Sequence, residues 1–255
     1  MNNPVRLNKF LAERLGVSRR EADGLIAAGK VTVNGQKAIL GTRIDEKSKV
    51  CYNNKVIPFA TEYLYVAFNK PVGYVCSRRA QGPSPTLYDL LPAKYRQLKT
   101  VGRLDKDSSG LILLTNDGDF AYQMTHPKFH KEKIYEVELD KPLEPLHQQM
   151  ISDYGIMLDD GPSKFVVIRG EGAIGTVCSA GHEDLARAAR SVPEGHAVPI
   201  ASSPHYTVIL TEGRNRQIRR TFAVLGYKVI RLHRTQFGKY NLNKLKSGSC
   251  ESIIM

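Results

Sequence analysis

Gly102-Arg103-Leu104-Asp105-Lys106-Asp107-Ser108-Ser109-Gly110-Leu111 runs directly into Ile112-Leu113-Leu114-Thr115-Asn116-Asp117-Gly118. A polar loop carrying an arginine, two aspartates and two serines is pinned between glycines and feeds a short segment that is apolar at successive positions. A strand buried on both faces reads as such an unbroken apolar run, and a loop held at the edge of a core is a usual place for chemistry-bearing side chains. On composition alone these aspartates are also ordinary turn formers and helix caps. The segments around the run decide between those readings.

Working outward, Tyr63-Leu64-Tyr65-Val66-Ala67-Phe68 is strand-like and halted by Asn69-Lys70-Pro71. Further strand candidates fall at Leu111–Thr115, Ile134–Leu139, Phe165–Ile168, Tyr206–Leu210 and Val229–Leu232, with helices near Asp119–Thr125 and Gln217–Leu225. This order predicts an α+β fold around a mixed, largely antiparallel sheet. Residues 169–204 are broken by Gly170, Gly172, Gly175, Gly181 and Gly195 and hold one helical candidate, Glu183–Arg190, so they read as an insertion.

The N-terminal segment has a different grain. Leu7, Phe10, Leu11 and Leu15 are spaced for one helix closed by Gly16. Ser18-Arg19-Arg20-Glu21 is a capping-box pattern opening a second helix, with Ala22, Leu25 and Ile26 inward and Gly29 as its stop. Val31-Thr32-Val33 then meets the hairpin pair Asn34-Gly35, and the return run carries the apolar Ala38-Ile39-Leu40. The expectation is a small ααβ domain over residues 1–60 and a larger domain over 61–255, with Pro58 and Thr61-Glu62 as the link between them.

Charge is unevenly distributed along the chain. Residues 1–60 hold 11 Lys/Arg against 5 Asp/Glu and residues 205–240 hold 8 against 1, while the stretch between them is close to neutral. Two basic segments flanking a neutral body suit two contacts along one long anion, which nucleic acid supplies. Arg6, Lys9, Arg19, Arg20, Lys30 and Lys37 are the candidate phosphate contacts of the first segment, where they would grip a backbone without reading bases. No apolar run is long enough to span a membrane and Met1 to Lys9 lacks a signal-peptide core, so the expected location is the cytoplasm. Cys51, Cys76, Cys178 and Cys250 are scattered and read as reduced thiols, without a zinc spacing. Asp105, Asp107, Asp117 and Asp119 could be read as a magnesium site, but no phosphate-cradling glycine loop accompanies them.

Two resemblances sharpen these expectations. Arg-Leu-Asn-Lys-Phe-Leu, Ser-Arg-Arg-Glu-Ala-Asp and Gly-Lys-Val-Thr-Val-Asn-Gly, over about residues 5–52, resemble the S4-like RNA-binding module first seen in a small-subunit ribosomal protein. The run from Gly102 to Gly118 resembles the active-site motif of pseudouridine synthases, in the branch that modifies ribosomal RNA with such a module in front. Asn69-Lys70-Pro71-Val72-Gly73, Lys133-Ile134-Tyr135 and the segment from Glu212 to Arg220 stand in the order of that family.

The second resemblance implies isomerisation of uridine to pseudouridine, which needs no redox cofactor, metal or nucleotide cofactor. It assigns the essential carboxylate to Asp105, acting as nucleophile or as base at C2′. A carboxylate shut away from water resists ionisation, and the resemblance supplies Arg219 as its cationic partner. It assigns Tyr135 to the target base, by stacking and by assisting proton removal from C5. A uracil must leave its stack to react, and Arg103 is the candidate to hold the opened RNA, with Arg214, Arg216 and Arg220 as further substrate contacts. The expected partner is ribosomal RNA or a ribosome assembly intermediate, met by a monomer. The N-terminal opening leans towards large-subunit RNA, with small-subunit RNA as the alternative and a non-catalytic RNA-binding assembly factor as the rival class.

Overall fold

The computed structural model describes residues 4–59, 62–78, 82–170 and 204–253. The helical candidate Glu183–Arg190, and all but the ends of the expected insertion, lie outside the described residues. By contacts the chain forms two compact units, Met1–Lys131 with Thr235–Met255, and Glu132–Arg234. Among the described residues no helix is long and apolar enough to cross a membrane.

The first unit opens with helices Leu7–Arg14 and Arg19–Ala27, the second opened by the expected capping box. Ser18 Oγ accepts from the Glu21 amide at 3.1 Å and the Glu21 carboxylate accepts from the Ser18 amide at 2.7 Å, satisfying two amides that helix geometry leaves bare. Leu7, Phe10, Leu11, Ala22 and Ile26 converge with Val31, Ile44 and Val50 on one small core. The hairpin Val31–Val33 to Gln36–Lys37 turns through Asn34 and Gly35, both at positive φ as a primed two-residue turn requires.

Sequence and structure part company just after this turn. Ala38 is buried, but Ile39 and Leu40 are 73% and 58% exposed, because the chain leaves the sheet after Lys37 and Thr42 Oγ1 caps the Ile39 carbonyl at 2.7 Å. The module also has a second hairpin, Val50–Tyr52 to Lys55–Val56, which turns through Asn53 and Asn54 at positive φ and brings the small sheet to four strands.

Beyond the module, the strand Ser109–Thr115 is the centre of the same unit. It pairs antiparallel with Tyr65–Lys70 on one side and Lys99–Val101 on the other, and Cys250–Ser252 extends the sheet beyond Tyr65–Lys70. Leu111, Ile112, Leu113 and Leu114 are buried on both faces, as their unbroken apolarity predicts. Helix Gly118–Thr125 follows, with Asp117 Oδ1 accepting from the Asp119 and Phe120 amides at 2.9 and 3.1 Å. Phe120 and Met124 pack with Val101, Leu111, Leu113 and Phe237. Lys99 ties the N-terminal helices to this layer by donating to the carbonyls of Ala12 at 3.3 Å and Val17 at 2.9 Å.

The second unit has strands in the order Val166–Arg169, His205–Leu210, Lys133–Leu139 and Val229–Phe237, the last of which belongs to it as far as Arg234. Tyr135 stands opposite Val208, which in turn faces Val167. The helix Gln217–Val224 buries Gln217, Ile218, Thr221 and Phe222. A hairpin absent from the sequence expectation joins Ile156–Leu158 to Gly161–Ser163. The strand expected over Val229–Leu232 continues to Phe237, and Arg234 occupies an inward position on it that reads as polar yet is only 2% exposed.

Candidate active site

The loop 102–108 follows the strand Lys99–Val101, which ends on Gly102 at φ +72°. That left-handed conformation is open to glycine at no steric cost and turns the chain out of the sheet. Asp105 is half-buried, Arg103 is exposed, and Leu104 and Ser108 anchor the loop inward at 6% and 1% exposure.

Most of the fastening is done by the segment Asn69-Lys70-Pro71-Val72-Gly73. Lys70 is wholly buried, and its ammonium donates to the carbonyls of Pro71 at 2.9 Å, Asp105 at 3.1 Å and Ser108 at 2.7 Å. Burial pushes its pKa below the ordinary lysine value, against the opposing pull of Cys76, Asp105 and Asp107. The Gly73 amide donates to the Lys106 carbonyl at 2.8 Å and the Ser108 amide to the Asp105 carbonyl at 3.1 Å. The Leu104 amide meets Cys76 Sγ at 3.4 Å, and Lys106 reaches Ser84 Oγ at 2.9 Å. The backbone of Asp105 is therefore held from two sides by groups other than its own side chain, which fixes where the carboxylate starts from.

In the second unit Tyr135 is 8% exposed on the strand Lys133–Leu139. The buried Arg234 donates to its hydroxyl at 3.4 Å and lies 5.9 Å from its ring centroid. Lys133, two residues earlier, donates to the carbonyls of Thr211 and Glu212, both at 3.3 Å. Its pKa is pushed down to about 8, first by burial and then by the Arg234 charge, with Glu212 opposing. Arg219 donates to the Val229 carbonyl at 2.8 Å.

The remaining arginines of this segment divide. Arg214 grips the hairpin, with Nη1 at 3.0 Å from both the Asp160 carboxylate and the Gly161 carbonyl and Nη2 at 2.7 Å from the Pro162 carbonyl. Arg220 also bonds to the Asp160 carboxylate, whose pKa this hydrogen bond holds below the usual carboxylate range. Arg216 is exposed at the helix start, at φ +47°. Of the four arginines expected to meet substrate, Arg103 and Arg216 thus stand exposed, while Arg214 and Arg220 brace the hairpin.

In the N-terminal module Arg6, Arg19, Arg20, Lys30 and Lys37 are exposed, but Lys9 is ion-paired to Asp119 at 2.6 Å. Sequence reasoning gave no role to Lys70 or Arg234. The available signals were a lysine closing an apolar strand before a proline, and an arginine at an inward position of an alternating strand.

This geometry has relatives. The family model described as RNA pseudouridylate synthase matches residues 64–224, and the S4 domain model matches residues 5–50. A ribosomal small subunit pseudouridine synthase A of Pasteurella multocida is 32% identical, over 98% of this chain and 96% of its own length. A ribosomal large subunit pseudouridine synthase B of Pseudomonas aeruginosa is 34% identical over 91% of this chain, which spans 55% of that relative. A solved structure described as a pseudouridylate synthase is similar over 98% of this chain and 96% of its own, with a TM-score of 0.62 and 28% identity.

Proposed function

We propose that this chain, which belongs to the RNA pseudouridylate synthase family, isomerises uridine to pseudouridine at a fixed position in ribosomal RNA, with Asp105 as the essential carboxylate. The observation that carries the assignment is the clamp on the loop 102–108. Lys70 and Gly73 hold the main chain at Asp105 and Lys106, which fixes the point in the loop from which the Asp105 carboxylate projects.

The reaction breaks the bond from N1 to C1′, turns the uracil and joins C5 to C1′. The proton on C5 is lost and N1 gains one, so the atoms balance without a redox partner. Asp105 acts either as the nucleophile or as the base at C2′. The family resemblance of the Gln217-Ile218-Arg219 segment assigns Arg219 as its cationic partner. Tyr135 stacks on the base and assists removal of the C5 proton, with Arg234 holding its hydroxyl. Arg103 holds the RNA opened by extrusion of the target, and Arg216 contacts the backbone, where Arg214 and Arg220 act through the hairpin they brace.

Residues 1–60 dock the RNA through Arg6, Arg19, Arg20, Lys30 and Lys37, and residues 61–255 carry the chemistry. The exposure of these five cations supports that division. For the working unit we propose one chain acting alone, located in the cytoplasm, where Cys51, Cys76 and Cys250, which form no disulfide, would stay reduced. Large-subunit RNA is the first candidate target, on the opening Arg-Leu-Asn-Lys-Phe-Leu motif. Small-subunit RNA is the second, favoured by the end-to-end match with a small-subunit enzyme.

The test is tritium release from both ribosomal RNAs labelled at C5 of uridine, comparing the wild type with Asp105→Asn. Release by the wild type alone is expected, from one of the two RNAs. No release from either RNA, free or in assembly intermediates, sends the chain to the non-catalytic class.

A further inference from the structure

Helix Gly118–Thr125 has an outward face that the core does not use. Phe120 and Met124 point inward at 7% and 5% exposure, whereas Tyr122 between them is 45% exposed. Pro127 prevents the helix from continuing, and a tight turn over Pro127–Phe129 follows, closed by His130 at φ +45°. His126 Nδ1 accepts from the Lys128 amide at 3.3 Å, which sets the direction of its ring.

These elements place three rings together at the surface. Tyr122 and His126 have centroids 4.7 Å apart, Tyr122 and Phe129 meet edge to face at 5.7 Å and 90°, and His126 and Phe129 are 6.3 Å apart at 76°. Lys128 Nζ lies 5.2 Å from the Tyr122 centroid and 4.7 Å from that of Phe129. Phe129 is 37% exposed, and Lys128 and His130 are exposed beside it. The cluster also adjoins the loop that carries Asp105. A Cβ on Gly102 would stand 3.6 Å from Thr125 Cγ2, so the end of the helix abuts the start of that loop.

We propose that Tyr122, His126 and Phe129, with Lys128 as their cation, form a stacking platform for an RNA nucleotide other than the target uridine. The platform rests on the RNA-modifying function proposed above and adds a contact to it. The three rings already pack against one another beside a proline turn, so they are gathered before any ligand arrives. A nucleobase offers a flat π-face to such rings, and its phosphate offers a negative charge to Lys128; a nucleotide is the ligand that matches both at once. Proximity to Gly102 makes the occupant a neighbour, in the folded RNA, of the nucleotide presented to Asp105.

Full-length small- and large-subunit ribosomal RNA transcripts serve as probes, with the dissociation constant measured against salt for Tyr122→Ala, Phe129→Ala, Lys128→Ala and the ring-keeping pair Tyr122→Phe and Phe129→Tyr. Each ring-to-alanine change is expected to weaken binding of the modified RNA roughly ten-fold without altering the salt slope, and the ring-keeping variants to stay near wild type. Lys128→Ala is expected to lower the slope by about one. Thermal melts of each variant separate these effects from unfolding. Folded alanine variants with wild-type affinity overturn the platform, as does a loss confined to Lys128, which marks a phosphate contact without stacking. If the wild type releases no tritium but the ring variants still lose RNA affinity, the catalytic assignment fails and the platform stands.

Discussion

The loop around Asp105 is fastened through its own main chain, whereas the segment from Arg214 to Arg220 is fastened through its side chains. In the loop, the carbonyls of Asp105, Lys106 and Ser108 accept from Lys70 and Gly73, contacts that any side chain at 105 would leave in place. In the arginine segment, the guanidiniums of Arg214 and Arg220 are themselves the braces, held by Asp160 and the carbonyls of Gly161 and Pro162. A residue whose backbone is held by others can be selected for chemistry alone. A charged residue that holds the fold is only partly available to a ligand, so counting arginines overstates the RNA contact.

The largest effect that tests this contrast comes from Lys70→Met. Three carbonyls lose a buried donor, and the Asp105 carbonyl loses the partner it has in Lys70. Removal of the buried charge offsets part of that loss. The net destabilisation should be on the order of 3 kcal/mol in urea unfolding, since an orphaned buried acceptor costs about 1–3 kcal/mol. Tritium release should fall at least roughly a hundred-fold in protein that is still folded, because a shift of about 1 Å at a reacting group has that consequence. Turnover that survives the substitution would mean the loop is positioned from elsewhere.

Lys133 gives the next effect, readable as a pH profile. Its folded pKa of about 8 lies below its ordinary value, so above pH 8 the folded chain sheds a proton that the unfolded chain still holds. Stability from this group therefore rises with pH from about 8 up to the ordinary lysine range, and below pH 8 the penalty of the buried charge is constant. Lys133→Met should lack that rise, and the Lys133 ammonium should titrate near pH 8 by NMR. A midpoint at the ordinary lysine value would mean the ammonium is better solvated than its burial beside Arg234 implies.

What could be read from the sequence follows from how far apart the interacting groups stand. The capping box at Ser18 and Glu21 and the Asn34-Gly35 turn are local, and both are formed as the spacing predicts. The strand Ser109–Thr115 was legible because burial on both faces leaves an unbroken apolar run. The roles of Lys70 and Arg220 were not, because their partners lie 35, 38 and 60 positions away in the chain. No period or motif encodes which carbonyl will meet a lysine after folding. The exposed ring cluster at the end of the helix Gly118–Thr125 was missed for a related reason, since Tyr122 and Phe129 meet only once Pro127 has turned the chain.

A smaller change should follow from Asp160→Ala. The carboxylate is the ion-pair partner of both arginines, but Arg214 keeps the carbonyls of Gly161 and Pro162 when it is removed. Arg220 is the cation set loose. RNA affinity at low salt should rise, and the salt slope should steepen by about one rather than two. A steepening by two would mean that the carbonyl contacts do not restrain Arg214, and the contrast between main-chain and side-chain fastening would narrow.

The smallest effect concerns Lys9, expected from sequence to contact RNA but paired with Asp119 at 2.6 Å. Asp119 is 71% exposed, and pairs of this kind contribute about 0–1 kcal/mol, so Lys9→Met should hardly move the urea midpoint. RNA binding is the sharper readout. Arg19 is exposed on the same module, and Arg19→Ala should reduce the salt slope by about one, whereas Lys9→Met should leave it unchanged if its ammonium stays with Asp119 in the complex. Equal reductions would mean that RNA phosphate displaces Asp119 from Lys9. A surface pair this weak can be exchanged for a phosphate, whereas Lys70, enclosed by three carbonyls, has no such exchange open to it.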